Sequence, residues 1–157
     1  KNKEIELVFK QAEDSFYKGY LDNSAIYYQN SLKGDLSKSK KIIAYNRLFA
    51  ISVIKNEYNT AFSYLERLAI LDKNNPEIIY NKIKLNLKYD QYNVVEVLID
   101  DLPNKYRKKN QFRDLVSLYY FKISENNIKG GAQKRHHERV ISPAYNVHPG
   151  NILHTDL

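Results

Sequence analysis

Near the end of the chain, His136, His137 and Glu138, with His148 and His154, carry the imidazole and carboxylate groups that suit zinc or nickel. Their spacing matches no compact ligand set, and the neighbours His136 and His137 would have to diverge, so the reading is surface histidine and no metal. Cysteine is absent, which removes thiolate nucleophiles, disulfides and every zinc site built on sulfur. A Ser/His/Asp relay needs a rigid scaffold to hold its geometry, yet every histidine follows residue 135. Asp100 and Asp101 are adjacent at a helix end, where neighbouring carboxylates point to different sides and share no proton. Gly130-Gly131 is the only glycine pair, and no phosphate-cradling glycine loop is present. These residues point to no catalytic site, no cofactor and no enzyme.

The chain has 157 residues, 43% hydrophobic and 27% charged, within the range of one globular domain. No apolar run approaches the roughly 20 residues that cross a bilayer. The net charge of +7 is spread along the sequence, with clusters at Lys38, Lys40, Lys41 and at Lys105, Arg107, Lys108, Lys109. Such a surface attracts nucleic acid or anionic lipid by counterion release. A solvated Lys-rich surface encoded by an AT-rich genome gives the same excess without a ligand. Tyrosine (14 residues) and phenylalanine (6) offer rings for base stacking, but many of the tyrosines fall where a helix needs core.

Helical periodicity organises most of the sequence. Residues 4–18 place Ile5, Val8, Ala12 and Phe16 on one stripe, and Gly19 breaks the run. Residues 23–32 continue with Ala25, Tyr28 and Leu32 behind Asp22 or Asn23 as N-cap, and Lys33-Gly34-Asp35 ends the helix. A helix over 41–55 and one carrying Ala61, Tyr64, Leu65, Leu68 and Ala69 flank a break at Asn56 to Asn59. Pro76 opens a third pair, 79–89 and 94–101, around Asp90 to Asn93; residues 111–124 read as a seventh helix. Strand alternation is never sustained.

The breaks Gly19, Asn56 and Asp90 align at spacings of 37 and 34 residues. Two positions on stand Leu21, Tyr58 and Tyr92; five on, Ser24, Ala61 and Val95; nine on, Tyr28, Leu65 and Ile99. A period near 34 with two helices per unit predicts a stacked helical repeat in which each pair buries one face against its neighbour.

On these residues, from Ala12 through the Asn56-Glu57-Tyr58-Asn59-Thr60-Ala61 segment to Pro103, the chain over about 4–124 resembles the tetratricopeptide repeat family. The resemblance implies an all-α fold, a right-handed superhelical stack of about three repeats plus a terminal helix over 1–128. In that family the first helices line a concave groove that binds a partner protein or peptide. The matching positions are Glu6, Phe9, Glu13, Phe16 and Tyr17 in the first unit, and Ile43, Asn46, Ala50, Val53 and Ile54 in the second. The third contributes Glu77, Tyr80, Lys84, Leu87 and Lys88. An apolar anchor near Phe9, Asn46 and Val53, steered by Lys84 and Lys88, is the expected mode. Phe9 and Glu13 stand where the family's carboxylate clamp has Lys and Asn, which argues against a chaperone co-factor of that type.

From residue 129 the composition changes, and 129–157 reads as an irregular tail joined through Gly130-Gly131. The function expected is a protein–protein interaction scaffold. The alternatives are a basic nucleic-acid-binding array, or the targeting arm of a larger enzyme. The absence of an initiating Met, of cysteine and of nuclear-type basic runs points toward a bacterial envelope protein, with the cytoplasm as the alternative.

Overall fold

The computed structural model describes the backbone of residues 2–141 and the side chains of residues 2–130. Among the described residues there is no strand, and eight helices follow one another. They are α1 (Asn2–Tyr17), α2 (Leu21–Leu32), α3 (Lys38–Ile54) and α4 (Tyr58–Leu71), then α5 (Pro76–Lys88), α6 (Tyr92–Asp100), α7 (Asn104–Arg107) and α8 (Asn110–Ile141). The chain divides into two compact units, Lys1–Ile78 and Ile79–Leu157, with the division inside α5.

Three hairpins, α1–α2, α3–α4 and α5–α6, turn through one backbone conformation. Gly19, Asn56 and Asp90 are the positive-φ residues among those described, at 81°, 58° and 58°. Each donates its N–H to the carbonyl three residues back (Phe16, Val53, Leu87), and the following N–H reaches the carbonyl five back (Ser15, Ser52, Asn86) at 2.9 Å each. This paired closure satisfies the carbonyls that a helix end leaves open. The residue after each left-handed position (Tyr20, Glu57, Gln91) then opens the next helix, its carbonyl accepting from Ser24, Ala61 or Val95 at 2.9, 2.9 and 3.1 Å. No side-chain cap takes part at these three starts. α2 therefore begins before Asp22 and Asn23, the caps expected from sequence: the preceding turn already supplies the capping geometry. α3 is different, with Ser37 Oγ accepting from the Lys40 N–H at 3.3 Å.

In the first unit α1 and α2 meet through small residues. Ala12 and Ser24 are fully buried, and Ser24 Oγ donates to the Ala12 carbonyl at 2.9 Å. The Phe9 and Tyr28 rings meet edge to face, centroids 5.9 Å apart. These side chains form one core with Leu36, Ala44 and Leu48, flanked by Ile5, Phe16 and Tyr64. The second unit has its own core of Tyr80, Ile83 and Leu87 from α5, Val95 from α6, Leu102, and Phe112, Leu115 and Tyr119 from α8.

Two features depart from the sequence reading. A single helical turn, α7, follows Pro103; four residues are too short to show a period. The Arg107 side chain on it donates to the carbonyls of Leu102 (2.9 Å), Ile99 (3.2 Å) and Asp100 (2.8 Å), closing the exit of α6. The second departure is that α8 stays helical across Gly130-Gly131 to Ile141, so residues 129–141 are not an irregular tail. Each glycine costs about 1 kcal/mol of helix propensity, but Ala132, Gln133, Lys134, Arg135, Glu138 and Arg139 around them are good helix formers. Residues 142–157, the rest of the expected tail, lie outside the described residues.

Candidate functional site

In the first unit, α1 and α3 lie side by side and run in the same direction, joined by matched rungs. Glu6 pairs with Lys40, and seven residues further along both helices Glu13 pairs with Arg47 at 3.6 Å. Arg47 is the only charged residue between Ile42 and Ile54. Its guanidinium lies over the rings of Phe16 (4.5 Å) and Tyr17 (5.3 Å), and Nη2 donates to the Tyr17 hydroxyl at 2.8 Å. Arg47 Nε is buried beside Glu13 without a hydrogen bond. Glu13 also accepts a hydrogen bond from the Tyr28 hydroxyl. Burial, then the Glu13 carboxylate, holds the Tyr28 phenol well above the usual tyrosine range.

Around this braced arginine the surface is apolar. Ile43, Arg47, Ala50 and Ile54 follow one another at intervals of four, three and four, one stripe of α3. Ile43 and Ile54 are 39% and 62% exposed, and Tyr17 on α1 is 72% exposed. The guanidinium thus sits beside two nearly perpendicular aromatic rings with apolar side chains on either hand, and arginine and tyrosine are residue types enriched where protein interfaces are strongest.

The residues singled out from sequence distribute unevenly over this face. Glu13 and Tyr17 stand in it, bonded to the same arginine. Asn46 is exposed beside it, its Nδ2 donating to the Ile42 carbonyl at 3.0 Å, and Ala50 and Val53 are half-buried. Phe9 is a core residue, 8% exposed, with the Lys40 ammonium 5.5 Å from its ring. Tyr80, in the second unit, is also core at 1% exposure, stacked near Phe112 and donating to the Tyr106 carbonyl at 3.4 Å. Both positions face inward, because the first helices bury more than one flank. Lys84 and Lys88 are exposed on α5, one turn apart. Arg47 escaped the sequence reading, although a lone charge inside thirteen otherwise uncharged residues marks it.

Each unit also has a cleft. In the first, about 400 Å³ opens between α2, α3 and α4, lined by Asp22, Gln29, Ser52, Lys55, Glu57 and Tyr64 among others. Lys55 Nζ bonds Asp22 at 2.6 Å, and that hydrogen bond raises the Lys55 pKa. In the second, about 390 Å³ lies beside the α5–α6 turn, bordered by Asp90, Tyr92, Glu96 and Tyr119. Burial first, then the hydrogen bond to Asp90, pushes Tyr92 up to about 12; burial, then the Glu96 charge, pushes Tyr119 to about 12.

Among the described residues no three His, Asp or Glu side chains gather as metal ligands, and no helix is long and apolar enough to cross a membrane. The side chains of His136, His137, Glu138, His148 and His154 lie outside the described residues. No protein family, curated protein or solved structure matches this chain.

Proposed function

We propose that the three hairpins are tetratricopeptide-like repeats and that the chain is a scaffold without turnover, holding a partner protein or peptide on its first helices. The observation that carries this reading is the recurrence of one left-handed turn at Gly19, Asn56 and Asp90, the positions that also align in sequence. Within the first unit two such hairpins set α1 and α3 side by side, and two adjacent first helices make a binding face. The patch of Tyr17, Ile43 and Ile54 around Arg47 is the anchor on that face, replacing Phe9 and Tyr80. Asn46 supplies a polar contact at its edge, and Lys40 on the same helix adds positive charge for partners with acidic segments.

The test is quantitative affinity capture by the purified chain and by a Tyr17→Ala/Ile54→Ser variant. Both side chains are exposed, so the variant keeps its fold, checked by circular dichroism. The expected result is at least a tenfold loss of the partners that the parent retains. Equal recovery by the two proteins overturns the assignment of the face.

A further inference from the structure

The segment between α6 and α8 concentrates positive charge as no other part of the described chain does. Five of the nine residues 105–113 are basic and none is acidic: Lys105, Arg107, Lys108, Lys109 and Arg113. Asp100, Asp101 and Asp114 bound the stretch without entering it. All five basic side chains are exposed. Arg107 is committed to the scaffold through its three carbonyl bonds. The other four form no ion pair among the described residues, and Lys105 rests 4.8 Å from the Tyr106 ring. The brace at Arg107 holds this cationic ledge, and α8 adds the positive end of its macrodipole there.

Along α8, Arg113, Ser117, Tyr120 and Ser124 recur at intervals of four, three and four, so they share a stripe. Phe112, Leu115 and Tyr119 occupy the core-facing stripe. Tyr120 and Phe121 are 61% and 60% exposed, with the small Ser117 and Ser124 on either side of the tyrosine. Seven residues of helix place Tyr120 about 10 Å beyond Arg113, close to three stacked-base rises of about 3.4 Å. The Tyr120 ring leans on Tyr119, centroids 5.2 Å apart, and keeps its outer side to solvent; cations followed by exposed aromatic rings are what a single strand of nucleic acid needs. Phosphates take the charge, and unpaired bases stack whatever their sequence.

We propose that this ledge is a binding site for single-stranded nucleic acid, with phosphates on Lys105, Lys108, Lys109 and Arg113 and bases on Tyr120 and Phe121. A bilayer fits the face less well, because Asp114 and Glu125 stand one turn from Leu118 and Phe121 and would lose their hydration if those side chains sank into lipid, whereas a strand on the ledge leaves them in water. The site lies in the second unit and is independent of the protein-binding patch on α1 and α3.

The test is fluorescence anisotropy with labelled oligouridylate, labelled oligothymidylate, a hairpin duplex and phosphatidylserine-rich vesicles. Four phosphate contacts predict a fall in single-strand affinity of about fiftyfold between about 50 and 200 mM salt. Lys108→Glu/Lys109→Glu abolishes binding, whereas Lys38→Glu/Lys41→Glu, the same charge change on α3, leaves most of it. Tyr120→Ala/Phe121→Ala weakens the single strands at least tenfold and leaves the duplex unchanged. Preference between the uridylate and thymidylate strands tells RNA from DNA as the source of the phosphates, and either supports the site. Absence of binding at low salt, equal effects of the two charge reversals, an aromatic variant that binds like the parent, or preference for vesicles each overturns it. The substituted side chains are exposed or half-buried, and unchanged melting curves confirm that the fold is intact.

Discussion

At the residue scale, the best-defined chemistry is the chain Tyr28–Glu13–Arg47–Tyr17 that ties α2, α1 and α3 together. Tyr28→Phe removes the donor and leaves Glu13 facing its pocket with one bond fewer. We expect a loss of about 1.5–3 kcal/mol in urea denaturation, the range for a hydrogen bond to a charged group. Three tyrosines carry a pH signature. Tyr28, Tyr92 and Tyr119 titrate in the fold above the value of about 10 they have when unfolded. A raised pKa means that the unfolded chain loses these protons first. Their stabilisation is complete below about pH 10 and is lost as pH rises toward 12 and beyond. Thermal midpoints should fall over that interval, and Tyr119→Phe should flatten the fall. A midpoint that stays level to the alkaline limit contradicts the assignment. These networks were hidden in the sequence. Nothing in the spacing of Glu13 and Tyr28 shows that they meet, since the contact depends on how two helices dock. For the same reason Phe9 and Tyr80 read as surface positions although both are core.

At the scale of elements, two glycines matter for opposite reasons. Gly19 has open space around it but sits at φ 81°, where an added Cβ is strained whatever its neighbours. Gly34 has no such φ, yet a Cβ there would lie 1.6 Å from Ile5 Cδ1 and 2.6 Å from Cγ1. Gly19→Ala should cost about 1 kcal/mol, with Gly19→Asn better tolerated because asparagine enters the left-handed region more readily. Gly34→Ala should cost about 1–3 kcal/mol through overpacking. Shortening Ile5 to alanine should relieve part of that loss and none of the Gly19 one; a double variant no better than the sum of its parts refutes the clash. Gly130 differs from both, with ordinary helical backbone and nothing within 4 Å. Gly130→Ala should therefore raise helicity, by about 0.5–1 kcal/mol of propensity. The helices and their breaks were legible because period and turn residues are local. Asn56 and Asp90 betray the turns, since both types enter left-handed backbone more readily than most. α7 was not legible, being shorter than any period, nor was the passage of α8 through two glycines, where flanking helix formers prevail.

At the scale of the whole molecule, each compact unit contains its own core. The cluster of the first runs from Ile5 to Tyr64, so a chain of residues 1–75 should fold alone and melt cooperatively. It should also retain the Tyr17- and Ile54-dependent capture of partners. A fragment without helical signal would show that the two units stand only together. The recurrence of the three turns was visible in the sequence, whereas the division at Ile78 was not, because α5 reads as one uninterrupted helix across it. The matched turns provide a measuring device. The amides of Tyr20, Glu57 and Gln91 sit in equivalent backbone cages, each bonded five residues back at the same length. Hydrogen–deuterium exchange at these three sites compares chemically matched reporters, so differences in protection beyond the intrinsic rates of their neighbours measure how readily each hairpin opens. The chain thus carries three calibrated thermometers of its own loosening, one at each bend.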